Sequence, residues 1–414
     1  MKRSVLVCIG GLSLVAGVAF GGPGDGIRVG KLTLHPFLDV SGNYDSNVGL
    51  AGRSQSDPAA IDGDNQESDT FIDFRYGVNF DYDAEGMEFQ GSISAYDKMY
   101  SDFNELDSDG VGQSLIYRRG SRESLELFLS QSFEDVQDYS LGGAANAATV
   151  NELGLGADRS DRQAREVFNV GVGLGRDVGE KLEIDGSYAY NGTDYENAGL
   201  FDQDTSSFGL SLGLVMSDKS STYVEGTTSV EDSEAFADDA NQDAIEVGLR
   251  SRGTDKLTYN VGLGYQTYDA ELVGEEDIDE GSLSYSLGVD WQVSPKLSVG
   301  ATGDNGYSAA AFAANNAKDV STFGLNLAHQ MSQALTVGAA YSYRVDEYLR
   351  PLVSPNGEVA EERTSHGVSV SLNYAPPGKW YNLYLNGGYD DSNSKIEGED
   401  FDQLRAAAGV SVYY

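Results

Sequence analysis

The stretch TFIDFRYGVNFDY, residues 70–82, decides the fold class of this chain. Every even-numbered residue from Ile72 to Tyr82 is apolar or aromatic, whereas Asp73, Arg75 and Asp81 lie between them. This period of two is the pattern of a β-strand with one apolar face and one polar face. No stretch of comparable length shows the helical period, so the sequence predicts an all-β protein.

The same alternation returns along the whole chain, and tight turns separate its repeats. It recurs in residues 208–216, 257–265, 283–291, 368–374 and 404–414. Short connections with turn residues occur at 84–86, 119–121, 177–179, 217–219, 253–255, 294–295, 332–334 and 376–378. These eight turns join sixteen strands, and one further strand at each end gives about 18, with about 16 as the alternative.

The other connections are long and acidic, as in residues 45–69 and 269–280. Short turns at one rim and long loops at the other predict a transmembrane antiparallel up-and-down β-barrel, with periplasmic turns and acidic extracellular loops. Its strands, about 9 to 13 residues long, suit a tilted bilayer crossing and are too long for β-propeller blades. A soluble β-sandwich is the alternative, but it would have to cover all these apolar faces with one another.

The N-terminus predicts a cleaved secretory signal. Lys2 and Arg3 precede an almost wholly apolar run from Val5 to Phe20, and small residues lie at the −3 and −1 positions of a cleavage site after Gly21. We expect residues 1–21 to be the signal peptide and residues 22–414 the outer-membrane barrel, with strands from near residue 32 to 414. The only cysteine, Cys8, lies in the signal, which excludes disulfides and thiolate chemistry from the mature chain.

Charge and composition exclude two classes of protein. The chain has 27 Lys or Arg against 66 Asp or Glu, a net charge of −39, whereas a nucleic-acid partner needs a basic surface. A hydrophobic content of 40% is too high for a disordered acidic polymer. Basic residues lie beside the short turns and acidic ones in the long loops, which predicts mild cation selectivity in a channel. The alternative is that the acidic loops provide solubility and bind divalent cations loosely.

The alternation also predicts the lining of the lumen, because polar residues that alternate with apolar ones face inward. The predicted pore-lining residues are Asp39, Asp73, Arg75, Asp81, Glu88, Tyr96, Lys98, Glu183, Asp185 and Asp290. The long connection at 136–163 is rich in Gly and Ala, and its position resembles that of the constriction loop in general porins. Its candidate residues are Gly142, Val150, Arg159, Arg162 and Arg165. An exposed flap is the alternative.

The last strand carries a pattern that predicts an interaction partner during assembly of the barrel. Val410 and Val412 precede the terminal Tyr414 at alternate positions, which resembles the C-terminal signal recognised by the bacterial barrel-assembly machinery. Any closing barrel strand would show the same pattern. Outer-membrane lipid and lipopolysaccharide are the other expected partners.

No catalytic or metal site is predicted. The three histidines, His35, His329 and His366, are not spaced as a metal-binding set. Ser365 and His366 are adjacent, so a strand would point them to opposite faces and they could not act together. We therefore expect neither an enzyme nor a cofactor.

One resemblance to a known family lies near the N-terminus. The run GIRVGKLTLHPFLDVSGNYDSNV, residues 26–48, followed by an acidic loop and by DTFIDFRYGVNFDYDAEG, residues 69–86, resembles the β-barrel porin 2 family. The resemblance covers the first fifth of the chain and implies a bacterial outer-membrane barrel, often associated with exopolysaccharide or capsule systems. The expected function is a porin-like channel for passive diffusion of small hydrophilic solutes. The alternative is a non-conducting scaffold or an accessory barrel of exopolysaccharide or capsule export.

Overall fold

The computed structural model describes residues 18–20, 26–47, 68–84, 86–102, 107–119, 123–136, 163–179, 181–195, 202–233, 239–271, 277–309, 317–353, 359–394 and 401–414. Within these ranges every regular element is a β-strand. None of the described residues forms a helix long and apolar enough to cross a membrane.

Two short strands, β1 (Val18–Phe20) and β2 (Ile27–Val29), precede the main sheet. The main strands β3 to β20 are, in order, Leu32–Asp45, Asp69–Ala84, Met87–Tyr100, Ser108–Arg119, Glu123–Val136, Gln163–Val178, Leu182–Tyr195, Gln203–Ser217, Ser220–Ser233, Ala240–Thr254, Leu257–Ala270, Ile278–Ser294, Leu297–Ala309, Ala317–Gln330, Leu335–Val353, Val359–Tyr374, Tyr381–Ser394 and Phe401–Tyr413.

The main strands form a closed ring. Each strand from β3 to β20 pairs antiparallel with the next one along the chain, and β20 pairs with β3. The described residues therefore form an 18-stranded up-and-down barrel, which confirms the predicted fold class and strand number. Closure leaves no free edge on the ring as a whole, as a sheet that spans a bilayer requires.

The turns explain why the hairpins are tight at one rim. Gly86, Gly179 and Gly378 adopt φ angles of 74°, 73° and 68° in three of the predicted turns, a conformation that other residues seldom adopt. We call this end of the barrel the short-turn rim and the opposite end the long-loop rim.

The strands are longer than the alternation predicted. They run from 12 residues in β6 to 19 in β17. Residues predicted to lie in a long loop continue the ladder, since Asp269 pairs with Asp279 and Ala270 with Ile278. Backbone pairing does not need an apolar side chain, so the strands continue past the apolar band at the long-loop rim.

The structure also differs from the prediction in its N-terminal residues. Strand β1 pairs with β2, and β2 pairs with the start of β3 through a turn at Gly30, whose φ is 67°. Strands were expected only from near residue 32, so this small addition to the sheet was missed. The predicted signal-peptide boundary after Gly21 lies outside the described residues.

The barrel has an apolar outward face and a polar inward face. Leu210, Leu263, Leu283 and Val370 are exposed on the outward face, with Leu283 reaching 78% exposure. On a soluble protein such a continuous exposed apolar surface would be unfavourable, whereas on a membrane barrel it contacts lipid. The alternation from which the fold was predicted thus assigns apolar residues to the outward face of the barrel wall and polar residues to its inward face.

A buried polar group closes the ring between β3 and β20 at the long-loop rim. The side-chain amide of Gln403 donates hydrogen bonds to both carboxylate oxygens of Asp45, at 2.9 and 2.7 Å. The backbone N–H of Asn47 donates to Asp45 Oδ1 at 2.9 Å, and the Asn47 amide donates to the Asp402 carbonyl at 3.0 Å. Because Asp45, Asn47 and Gln403 are buried, these bonds hold the closing pair of strands together.

We expect Gln403→Ala to lower the free energy of unfolding by about 1–3 kcal/mol, because it removes two donors from a buried carboxylate. The measurement is urea unfolding of the protein refolded in lipid vesicles. Asn393→Ala is the matched control, since this exposed amide lies on the neighbouring strand and donates to Asp391, two residues away, at 2.8 Å. Equal effects of the two changes would contradict this role of Gln403.

The wall is irregular between β14 and β15. The pairing of these strands runs from Ser294↔Leu297 only as far as Ser286↔Asp304, although both strands continue. Beyond that point the side chain of Asn305 bridges them: its Oδ1 accepts from the Tyr285 N–H at 2.8 Å, and its Nδ2 donates to the Leu283 carbonyl at 2.8 Å. We call this place the β14–β15 seam.

Above the seam, the hairpin formed by residues 305–309 of β15 and 317–321 of β16 folds into the lumen. Tyr307 shares a face with Val299, which pairs with the exposed Trp291, so a regular barrel would turn it outward. Instead Tyr307 is 8% exposed and lies 5.5 Å, centroid to centroid, from the inward-facing Tyr268. Ser282 of β14 donates to Asp319 at 3.1 Å. The face of the hairpin that would point outward in a regular barrel therefore packs against the inner face of β13 and β14.

Candidate functional site: the inner wall of the barrel

The first luminal cluster lies where β3, β4 and β5 meet β19 and β20. Strand register pairs Asp39 with Arg75, Arg75 with Tyr96 and Asp73 with Lys98 on the inward face. An acidic residue therefore lies opposite a basic one both between β3 and β4 and between β4 and β5.

This cluster borders a polar cavity of about 510 Å³. Tyr384 donates to Asp39 Oδ1 at 2.7 Å, and Ser411 donates to Asp39 Oδ2. Lys98 Nζ lies 5.3 Å from the centroid of the Phe71 ring, a cation–π geometry. These contacts hold the carboxylate and the ammonium group in defined positions on the wall of the cavity.

The second luminal cluster lies towards the short-turn rim. Glu88 pairs with Arg118 in register, and Arg118 Nε donates to Glu126 Oε2 at 2.7 Å. Both side chains of that ion pair are nearly half exposed, so the pair contributes little to stability. Their charges consequently stay accessible from the lumen.

The cavity beside the second cluster is the larger of the two, at about 740 Å³. Gly173 and Gly175 of β8 and Gly209 of β10 form part of its wall. Inward-facing glycines carry no side chain into the lumen, so the barrel interior is wider on this side. Asp185 contributes a carboxylate to the same cavity.

A third group, the buried ion cluster, lies at the long-loop rim on β16, β17 and β18. Asp346 contacts Lys318 at 3.4 Å, Arg344 at 2.5 Å and Arg363 at 3.5 Å. Lys318, Asp346 and Arg363 are 0%, 1% and 2% exposed. Charges buried this deeply stay ionised only when they are paired. The ion pairs of Asp346 join side chains from three neighbouring strands.

The structure brings some of the predicted pore-lining residues together and separates others. Asp39, Asp73, Arg75, Tyr96 and Lys98 share the first luminal cluster, and Glu88 and Asp185 border the second cavity. The remaining three lie apart on the inward face.

Asp81 lies 3.5 Å from His35 Nε2, measured from its Oδ2 atom. Glu183 lies over Gly213, where a Cβ atom would be 2.9 Å from its Oε2. Asp290 is exposed and pairs with Thr258 and Gly300 in register.

Several charged or polar residues of the inner wall were not predicted. The buried ion cluster, Tyr384 and Arg405, which donates to Asp390, are the clearest cases. The alternation could have placed part of the ion cluster on the inward face, because Arg344 and Asp346 alternate with Tyr343 and Val345. Their burial and mutual contact depend on strands that are distant in sequence.

The predicted constriction loop cannot be compared as a whole, since Gly142, Val150, Arg159 and Arg162 lie outside the described residues. Arg165 is a correction: it belongs to strand β8, where its backbone pairs with Tyr195 and Glu134. The ladder between β7 and β8 begins at Val136↔Gln163, and the strand therefore includes the last Arg of the predicted loop.

The other sequence candidates also have clear positions. Val410 pairs with Val40 and Val412 with Leu38 in the closing strand pair, and the Tyr414 N–H donates to the Pro36 carbonyl at 3.0 Å. No group of three or more potential metal ligands occurs among the described residues.

Ser365 and His366 face opposite sides of β18. Ser365 bonds to the buried Ser392 at 3.4 Å, while His366 Nδ1 lies 3.0 Å from the hydroxyl of Tyr341. The pair therefore has the geometry expected from strand alternation and does not form a dyad.

A comparison with family models agrees with this architecture. A family model described as "Putative outer membrane beta-barrel porin, MtrB/PioB" matches residues 142–348, which is half of the chain. No curated protein matches the chain.

Solved structures similar to this chain include the following three. The FrpB iron transporter from Neisseria meningitidis (F5-1 variant) is 9% identical, with a TM-score of 0.46 and coverage of 92% of this chain and 82% of its own. OccAB3 from Acinetobacter baumannii is 10% identical, with a TM-score of 0.46 and coverage of 92% and 99%. OpdK from Pseudomonas aeruginosa is 11% identical, with a TM-score of 0.45 and coverage of 92% and 99%.

Proposed function

Because the chain belongs to the MtrB/PioB family of outer-membrane β-barrel porins, we propose that it is a channel for the passive diffusion of small hydrophilic solutes. The protein lies in the bacterial outer membrane. The observation that carries the proposal is the polar inner wall, with its cavities of about 510 and 740 Å³ beside charged side chains. A barrel of this strand number with a polar interior can hold a water-filled path.

The finer points of the proposal concern selectivity. We propose that the ten inward residues predicted from the alternation line the path, and that their carboxylates, with the net charge of −39, favour cations mildly. We also propose that the short-turn rim faces the periplasm. Residues 142–150 are proposed to narrow the path, as the constriction loop of general porins does.

Single-channel recording in planar bilayers with a salt gradient tests the proposal. We expect discrete current steps and a reversal potential of the sign for cation preference, reduced in Asp73→Asn. Asp255→Asn is the matched control, because this carboxylate lies at a short turn and is exposed to solvent, with a side-chain exposure of 93%. Anion preference, or equal reversal potentials in Asp73→Asn and the control, would contradict the proposed role of the inward carboxylates.

A second candidate is a non-conducting scaffold or an accessory barrel of exopolysaccharide or capsule export. The in-folded hairpin favours it, since Tyr307 and Asp319 occupy space inside the ring at the long-loop rim. A correctly folded barrel that carries no current would support this candidate and contradict the diffusion channel.

The family match supports an outer-membrane barrel porin, as the N-terminal resemblance implied. Membership of the β-barrel porin 2 family and the exopolysaccharide link stay predictions. The expected partners, namely lipopolysaccharide, the barrel-assembly machinery and divalent cations at the acidic loops, are proposals, as are the signal peptide and the lack of a catalytic role.

A further inference from the structure

A third cavity, the seam pocket, lies on the inner wall beside the β14–β15 seam. It has a volume of about 380 Å³ and extends from β11 to β15. That size falls in the range of about 300–1,000 Å³ that is typical of small-molecule sites. The in-folded hairpin contributes Asn305 to the pocket wall. It also lies close to β12, because a Cβ atom at Gly306 would be 3.8 Å from Nε2 of Gln242.

The charge of the seam pocket is negative. Arg250 is its basic residue among those described, and it is held by Glu225 at 3.3 Å and by the ring of Tyr223, whose centroid lies 4.2 Å away. Two further carboxylates, Glu246 and Asp304, also line the pocket. Since one carboxylate offsets the guanidinium group, the two others leave an excess of negative charge.

The carboxylate of Glu246 is fixed in position. Its Oε1 accepts hydrogen bonds from the Tyr223 hydroxyl at 2.6 Å and from Ser286 at 2.9 Å. It lies against Gly262, where a Cβ atom would collide with Oε1. A charged group that is held by two donors and given space by a glycine is preorganised for a ligand, because little ordering remains to be done on binding.

One buried hydroxyl of the pocket lacks a partner. Ser284 is 7% exposed, lines the pocket, and its Oγ makes no hydrogen bond with any described residue. Asn260 Oδ1, in the wall of the same pocket, is likewise unbonded within the described ranges. Buried polar atoms normally find partners, so these two atoms indicate a hydrogen-bonding ligand or the water that such a ligand would displace.

We infer that the seam pocket binds a small solute that carries several hydroxyl groups and a protonated amine, of which amino sugars are the simplest class. Glu246 and Asp304 would attract the amine, while Ser284 and Asn260 would bond to hydroxyl groups. The inference deepens the proposed function and rests on it, since it adds a solute-binding site to the diffusion path.

Isothermal titration calorimetry of the folded, detergent-solubilised protein tests this inference, with glucosamine, glucose and glucuronate as probes. We expect glucosamine to bind most tightly and glucuronate most weakly. Glu246→Gln keeps the acceptor oxygen for Tyr223 and Ser286 but removes the charge, so it is expected to weaken glucosamine binding roughly tenfold, the effect of losing one charge-assisted hydrogen bond. Its effect on glucose binding is expected to be small.

Glu183→Gln is the matched control, because Glu183 is also an inward-facing carboxylate but lies on β9, outside the pocket. If Glu246→Gln does not fold, Ser284→Ala gives a second test: it is expected to weaken both glucosamine and glucose binding. Equal affinity for the three probes, or glucosamine binding that neither variant changes, would overturn the inference.

Binding and conduction separate this inference from the proposed function. Glucosamine binding to a barrel that carries no current would support the pocket and contradict the diffusion channel. Ion current without a preference for glucosamine would overturn the pocket alone.

Discussion

Asp346→Asn is expected to cause a large loss of stability, about 3–5 kcal/mol, because it removes a buried charge from contact with buried charges of opposite sign. The Asp346 carboxylate touches Lys318, Arg344 and Arg363, which come from three adjacent strands. Asparagine has nearly the same shape, so the effect reports charge and not packing. Urea unfolding in lipid vesicles, followed by the gel shift between folded and unfolded barrel, measures the change.

Asp290→Asn is the control for this experiment. Asp290 is an inward-facing carboxylate of β14 that is exposed, and we expect its neutralisation to change stability by less than about 0.5 kcal/mol. A similarly small effect of Asp346→Asn would mean that the buried ion cluster does not hold β16, β17 and β18 together.

Val370→Arg is expected to destabilise the protein by up to about 2–4 kcal/mol, the cost that a basic side chain on the lipid-facing surface reaches at the middle of the bilayer. Val370 is exposed on the outward face of β18. Stability is again measured by urea unfolding in vesicles. In detergent the cost should be smaller, because water reaches the micelle surface more easily.

Ser371→Arg is the control at the next position of the same strand. Ser371 is exposed on the inward face, beside the cavity of about 510 Å³. Arginine there has space and water, and little loss of stability is expected. If the two variants lost equal stability, the division of the wall into a lipid face and a luminal face would be wrong.

The alternation predicted the fold well because it is a local property of the chain. The apolar residues at even positions from Ile72 to Tyr82 define one face of one strand, and the same holds for each later repeat. Tight turns such as that at Gly86 then give strand order and antiparallel pairing without any information about distant residues. The fold class and the strand number therefore followed from short segments.

The candidate site was predicted only in part, because it depends on contacts between distant segments. Parity placed Asp39 and Asp73 on the inward face, but it could not indicate that Tyr384, more than 300 residues away, would bond to Asp39. Burial also depends on distant segments. In the sequence Lys318 and Asp346 look like ordinary charged residues near loops, yet both are buried in the structure.

The in-folded hairpin left a signal that could have been recognised. Asn305, Asp319 and Ser321 occupy positions that the alternation assigns to the outward face, where the preceding repeats carry apolar residues. Polar residues at such positions indicate that the strands leave the lipid-facing surface. Whether they rise above the membrane or turn into the lumen depends on the partner surface, here Tyr268 and Ser282.

The bridge made by Asn305 has a consequence for how the wall tolerates mutation. Where the described strands pair in register, main-chain groups join them. Every residue except proline supplies both groups, so most substitutions leave the joint intact. At the β14–β15 seam the donor and the acceptor both belong to one carboxamide. The hydrogen bonds between β14 and β15 at this point therefore depend on the side chain of one residue. Even Asn305→Asp, which exchanges its nitrogen for oxygen, would turn one of the two bonds into a repulsion between oxygens.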